Sequence, residues 1–366
     1  MTNLSRMYAL NHDQIVELIM AIGKTNWVHV QGLKGVGKTT LLQMLANLLP
    51  THEPRYVDTT MLEAGDLAIP RFKDAEEGDS VSFVANESLG LHLNKPLIIL
   101  LDELPKASPT VKTPCMRLGL ERMFAQYKLH KDSIVISTGN LGAEKLGDLL
   151  PAHALNRMTV VELRSPTGQE WLENYAVPNN LEPIVSGWVY ENKNKVFQDF
   201  RDVNDPEDNM FIDHPRATDR VACTTPRSVT KAAFIVQNRA NMDDQTLTAA
   251  LIGTIGYSAA TDLMTFIRLA DQLPTLDSIK QSPDSAMIPT AGPARCMVIT
   301  RMLSDIDSKC VDAYVTYLNR LDQDEKGLFA HAVRNPKNPN RSMISKNANW
   351  TKFCAENGWM FAADKV

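Results

Sequence analysis

The chain has 366 residues, with 38 Lys and Arg against 43 Asp and Glu, a net charge of −5 and a 44% hydrophobic share. That apolar content supports a buried core and excludes a largely disordered chain, while the mild acidity argues against a protein that coats nucleic acid through bulk positive charge. At roughly 150 residues per domain, the length suggests about two domains.

In chain order, residues 11–23 place Ile15, Leu18, Ile19 and Ile22 at helical spacing behind a capping Asn11 or Asp13. Residues 27–30 read as a short buried strand. Residues 39–49 read as a helix that starts directly after a glycine-rich turn. Strands are expected at 55–60, 97–101, 133–138 and 158–163, with a helix at 116–127. Strands alternating with helices predict an α/β sandwich around a parallel sheet. Around Ser165-Pro166 the pattern turns helical, with helices expected at 169–175, 183–190, 226–239, 247–273 and 295–321. Polar breaks fall at 192–219 and 282–293, and a polar tail begins at Asn335. The expected division is a core at 1–165, a helical lid at 166–277 and a helical extension with a basic tail at 278–366.

Five scattered cysteines, Cys115, Cys223, Cys296, Cys310 and Cys354, fit reduced thiols better than a disulfide framework or a zinc site. No signal peptide is apparent at the first residues, and no apolar run reaches roughly 18 residues. A soluble, cytoplasmic protein without membrane contact is expected. The eight histidines are dispersed and suggest no zinc site.

The strongest chemical signal is Gly32-Leu33-Lys34-Gly35-Val36-Gly37-Lys38-Thr39, a full G-x-x-x-x-G-K-[ST] between an expected strand and helix. Glycines let the backbone curl so that its N–H groups face phosphate oxygens. Lys38 would reach the β- and γ-phosphates, and the Thr39 hydroxyl would ligate Mg²⁺. Gly32, Gly35, Val36, Gly37, Lys38, Thr39 and Thr40 are therefore candidate ATP-binding residues. The second signal is Leu97-Ile98-Ile99-Leu100-Leu101-Asp102-Glu103, an apolar strand that delivers two carboxylates at its C-terminal end. Asp102 would hold Mg²⁺, and Glu103 would polarise the attacking water. A second adjacent carboxylate favours ATP hydrolysis over transfer to a small molecule.

These motifs, followed by Ser137-Thr138-Gly139-Asn140 at the next strand end, resemble the AAA+ ATPases, a P-loop NTPase family. The resemblance covers about residues 11–234. It implies that Asn140 is the sensor-1 residue acting with Glu103. Residues 149–157, ending in Asn156-Arg157, resemble the segment that carries an arginine finger. Thr225-Pro226-Arg227-Ser228 resembles the sensor-2 motif of the lid. An arginine finger at Arg157 would act on a neighbouring subunit, which implies a homo-oligomeric ring, six being the family's habit.

Within the family, the long 63–94 interval, with a hairpin expected at 79–85, is similar to the insertion of the MoxR branch, as is Asp102-Glu103-Leu104-Pro105-Lys106-Ala107. Members of that branch also occur in bacteriophages. This implies a remodeller of a protein client, often with a partner bearing a von Willebrand factor A domain. The sequence departs from that pattern at Lys34, Gly139 and Asn156-Arg157-Met158.

Two weaker features remain. Ala68-Ile69-Pro70-Arg71-Phe72 reads either as a pore loop that grips polypeptide or as a surface loop with Phe72 packed into the insertion. Arg334, Lys337, Arg341, Lys346 and Lys352, interleaved with Trp350 and Phe353, read either as a nucleic-acid contact or, better, as a solvated end with docked aromatics. Two rival functions follow: a nucleic-acid motor or loader, and a nucleotide-switched scaffold.

Overall fold

The structure is a computed structural model that describes residues 8–72, 80–141, 150, 152–217, 222–270, 273–336 and 338–358. Backbone contacts divide the chain into two units, one ending at Ser165 and the other beginning at Pro166. Among the described residues, no helix is long and apolar enough to cross a membrane. All five cysteines are free thiols.

The first unit begins with α1 (His12–Ile22), whose Asn11 and Gln14 cap each other reciprocally, resolving the two capping candidates. Then come β1 (Val28–Gly32), α2 (Thr40–Leu48), β2 (Glu53–Asp58) and the short α3 (Ala64–Leu67). A hairpin follows, β3 (Ala68–Phe72) against β4 (Val81–Ala85), joined in antiparallel register from Ala68↔Ala85 to Phe72↔Val81. The hairpin is therefore wider than the 79–85 expected: residues 68–72, read as a loop, form its first strand because their ladder partners lie at 81–85, and Asp79 lies outside the described residues.

Next are β5 (Leu97–Asp102), α4 (Pro109–Leu120), the two-residue strands β6 (Met123–Phe124) and β7 (Tyr127–Lys128), β8 (Ile134–Asn140), α5 (Ala152–Leu155) and β9 (Thr159–Leu163). The helix expected at 116–127 is displaced. Pro109 sits at its start, where a fixed φ and a missing N–H cost nothing, and the chain turns at Arg122 with φ +53° into the β6–β7 hairpin.

The central sheet is five-stranded and parallel, in the order β2-β5-β8-β1-β9. Leu97, Ile98, Ile99, Leu100 and Leu101 of β5 are each at most 2% exposed, because helices cover both faces of the sheet. At about 1.5–3 kcal/mol per buried aliphatic side chain, this strand anchors the unit. The order places β8 between the strand that leads into the glycine-rich loop and the strand that ends in Asp102. This is an α/β P-loop sandwich.

The second unit is helical: α6 (Gly168–Trp171), continued by a wider turn at Leu172–Ala176, then α7 (Pro183–Glu191), α8 (Pro226–Gln237), α9 (Asp244–Ile255), α10 (Tyr257–Ala270) and α11 (Leu276–Gln281). They are followed by α12 (Gly292–Asp305), α13 (Val311–Asn319), α14 (Gln323–Arg334), α15 (Arg341–Ile344) and α16 (Ala348–Glu356). The single helix expected at 247–273 is two, because Gly256 adopts φ +86° and ends α9. The one expected at 295–321 also divides, where the Asp307 carboxylate accepts from the Lys309 and Cys310 N–H groups.

Helices on either side of residue 277 share a core. Gly187 of α7 backs onto Met297 of α12, and a second cluster gathers Tyr314, Tyr317, Phe329, Trp350 and Phe353. This agrees with the favoured reading of the tail, in which its aromatics are docked. Trp350 and Phe353 are 3% and 1% exposed and stack on each other at 5.4 Å, so neither presents a ring to a base. Lys337 lies outside the described residues.

Candidate nucleotide site

The glycine-rich loop follows β1 at its C-terminal end. Gly35 and Gly37 hold φ values of +70° and +102°, which side-chain-bearing residues rarely adopt. Gly32 has no room for a Cβ, which would stand 2.9 Å from the Leu163 carbonyl oxygen of neighbouring β9. The loop therefore needs its glycines for conformation and for close approach. Val36 is buried beneath it, and Thr40 opens α2 on the exposed side. His12, at the start of α1, brings its Nε2 to 3.3 Å from the Gly37 carbonyl oxygen.

Lys38 is buried, and its ammonium donates to the Gly32 and Leu33 carbonyl oxygens at 2.9 and 3.1 Å. It also donates to Asn140 Oδ1 at 2.9 Å, and Asn140 Nδ2 donates to Glu103 Oε2 at 3.1 Å. Three residues separated by 102 and 37 positions thus form one chain, Lys38–Asn140–Glu103. The parallel register Gly32↔Asn140 between β1 and β8 makes this happen, since it brings the end of the central strand level with the loop.

Asp102 is the last residue of β5. The Thr39 hydroxyl lies 3.4 Å from its Oδ2, the Tyr56 phenol donates to the same oxygen at 3.0 Å, and the Thr138 hydroxyl donates to Oδ1. Thr39 and Asp102 present two hard oxygens side by side. That suits Mg²⁺, which takes oxygen ligands and completes its shell with waters and substrate phosphates. No cluster of three or more His, Cys, Asp or Glu capable of holding a metal occurs among the described residues.

Glu103 has φ +53° and ψ +33°, a left-handed conformation that costs a non-glycine residue about 1–2 kcal/mol. The turn that follows, Leu104–Lys106, is held firmly. The Glu103 N–H donates to Thr138 Oγ1 at 3.1 Å, and Lys106 N–H donates to the Glu103 carbonyl at 2.9 Å. Lys112 Nζ donates to the Pro105 carbonyl at 2.8 Å. The Lys106 ammonium pairs with the Glu103 carboxylate at 2.7 Å, with both side chains partly exposed. This bend turns the carboxylate off the strand axis toward Asn140.

Beneath the site, His29 of β1 is fully buried and shares a 2.8 Å hydrogen bond between Nδ1 and Ser137 Oγ. Burial, with the nearby Lys38 ammonium adding to it, pushes its pKa down to about 4. Its Nε2 is buried without a hydrogen-bond partner among the described residues.

Arg157 is exposed and lies just before β9, which runs parallel to β1. It therefore sits at the opposite end of the sheet from its own glycine-rich loop, about 16 Å away at the usual rise of a five-residue strand. Of the segment leading to it, Leu149 and Pro151 lie outside the described residues. Arg227 is exposed in the first turn of α8, in the second unit. A cation there faces the positive end of the helix dipole, so local helix energetics do not explain it.

The structure thus brings together Lys38, Thr39, Asp102, Glu103 and Asn140. Sequence reasoning missed Tyr56, Thr138 and Lys106 as partners of the two carboxylates. Thr138 stood inside a quoted motif, and Lys106 three residues past Glu103 could have been paired by spacing. Tyr56 carries no local signal, since only the register Asp58↔Asp102 brings β2 alongside β5.

No family model matches the chain, and no curated protein matches it in sequence. Among solved structures, the Thermotoga maritima RuvB Holliday junction branch migration motor is similar, at 14% identity over 75% of each chain with a TM-score of 0.38. NtrX from Brucella abortus, solved in complex with ADP, is similar at 13% identity over 96% of this chain and 68% of its own, with a TM-score of 0.38. At such identities and scores the function rests on the geometry of the site itself.

Proposed function

We propose that this chain is a Mg²⁺-dependent ATPase of the AAA+ type, working as a ring that remodels a protein client. The observation that supports it best is the Lys38–Asn140–Glu103 chain of hydrogen bonds, which spans from the phosphate-binding lysine to a carboxylate able to orient water. ATP would be cradled by Gly32, Gly35, Val36, Gly37, Lys38, Thr39 and Thr40. Thr39 and Asp102 would hold Mg²⁺, which when bound neutralises charge on the β- and γ-phosphates. Glu103 takes the proton of the attacking water, and Asn140 orients both carboxylate and water.

Arg157, distant from its own loop, supplies its guanidinium to the γ-phosphate in a neighbouring subunit, and Arg227 supplies another from the helical part of the chain. A finger acting in trans requires a head-to-tail ring, with a hexamer as the proposed size. The division into core, lid at 166–277 and extension belongs to the same proposal. The exposed hairpin supports a protein client, since Ile69 and Phe72 are 64% and 78% exposed instead of packed into the insertion. Resemblance to the MoxR branch adds a partner of the von Willebrand factor A type.

Phosphate release and ATP binding test this together. Glu103→Gln is expected to lower turnover by about 10²–10⁴-fold while ATP still binds. Lys38→Ala is expected to lose binding. In mixtures, Arg157→Ala subunits should regain turnover from Lys38→Ala subunits, which donate an intact finger. A Glu103→Gln protein with undiminished turnover would overturn Glu103 as the base, and a Glu103→Gln protein that loses turnover but keeps function, where Lys38→Ala loses both, would leave a nucleotide-switched scaffold.

A further inference from the structure

Gly139 stands between Thr138 and Asn140, both bonded to the glutamate turn, yet it has no side chain to contribute. Its backbone dihedrals are not left-handed, so glycine is not needed there for conformation. Space is the reason. A Cβ at position 139 would stand 2.8 Å from Pro105 Cγ, 3.2 Å from Pro105 Cδ and 3.1 Å from His29 Nε2. Neither neighbour gives way easily. The imidazole is buried and pinned through Nδ1 to Ser137, and the pyrrolidine ring is rigid and buried in a turn fastened by Lys112.

We propose that Gly139 is a positioning residue, a notch in β8 that seats the Pro105 ring and so fixes the Glu103 carboxylate within reach of Asn140. The inference rests on the hydrolytic reading of Glu103. Three consecutive residues then grip one turn: the Thr138 hydroxyl takes the Glu103 N–H, bare Gly139 receives Pro105, and the Asn140 amide holds the carboxylate. The grip keeps Glu103 in its left-handed conformation. A methyl group at 139 pushes the turn away from β8, which lengthens the 3.1 Å Asn140–Glu103 bond and misaligns the base.

The test is a size-swap cycle read by steady-state ATP hydrolysis, ATP binding and thermal melting on the full chain. Gly139→Ala is expected to lower kcat at least about 10-fold with KM for ATP within about 3-fold of wild type. Pro105→Ala, which leaves the notch empty, is expected to lower kcat about 3-fold, also at unchanged KM. The double variant puts the methyl group where the ring was, and kcat should recover at least about 5-fold over Gly139→Ala. A purely structural role for Gly139 would lower melting temperature without this split between kcat and KM. The proposal is overturned if Gly139→Ala keeps wild-type kcat, or if the double variant is no better than the single. Should Gly139→Ala fail to fold, Pro105→Ala with unchanged kcat overturns it as well. Wild-type and Glu103→Gln proteins run alongside separate the two failures. If Glu103→Gln loses turnover while Gly139→Ala does not, only the notch is wrong.

Discussion

The glutamate turn at 103–106 and the β3–β4 hairpin are both excursions from the same sheet, and they are built in opposite ways. The turn is tied on each side. Glu103 is bonded through its N–H, its carbonyl and both ends of its partnership with Asn140 and Lys106, over buried Leu104 and Pro105. Among the described residues the hairpin packs Ala68 and Ala85 at its base against the core, while Ile69, Phe72, Val81, Phe83 and Val84 are between 44% and 78% exposed. An apolar surface left open in this way has no folding role to account for it, whereas a bent, strained carboxylate held by neighbours suits chemistry that needs fixed geometry. On the proposed function, the fixed turn is where a water would be aligned, and the open apolar surface is where a client would dock.

This contrast can be broken by measurement. The largest expected effect concerns His29, which underlies the turn. Its folded pKa near 4 lies below the ordinary 6.5, so the unfolded chain takes up the proton first as the pH falls. Its contribution to stability is intact above pH 6.5 and declines between 6.5 and about 4, by roughly 3 kcal/mol in all. Urea unfolding at pH 7 and pH 4.5 should show a steeper loss for wild type than for His29→Gln. Equal slopes would mean that the imidazole is not held neutral.

Next comes Thr138→Val, which removes a buried hydroxyl bonded to both Asp102 and Glu103. It should cost about 1–3 kcal/mol of stability and lower ATP turnover, because the Glu103 N–H loses its acceptor. Stability and turnover both unchanged would show that the turn does not depend on β8.

The smallest effect is expected in the hairpin. Phe72→Ser should move stability by no more than about 0.5 kcal/mol, since the ring is already in water. If melting shows a loss of several kcal/mol, the phenylalanine is packed against something and the contrast between the two excursions fails.

Much of this architecture is legible in the sequence. The loop 32–39 announces itself because phosphate binding demands glycines at positive φ beside a lysine. The 97–103 strand does so because a strand buried on both faces must be apolar until it reaches the site. Asn11 as a cap and the buried tail aromatics were within reach of local rules. Element ends were less so. Gly256 breaks a helix that periodicity alone would continue, and Pro109 starts one seven residues earlier than its apolar pattern suggests.

By itself, then, the sequence determined the alternation of strands and helices, the phosphate loop and the acidic strand end. Each depends on residues close together in the chain. Only the tertiary structure decided that β8 runs between β1 and β5. That order joins Lys38 to Asn140 and Glu103, sets Tyr56 and Thr138 on Asp102, and leaves Gly139 as a notch for Pro105. Strand order and register bring residues together across tens of positions of chain, and nothing in local periodicity encodes which strand will lie beside which.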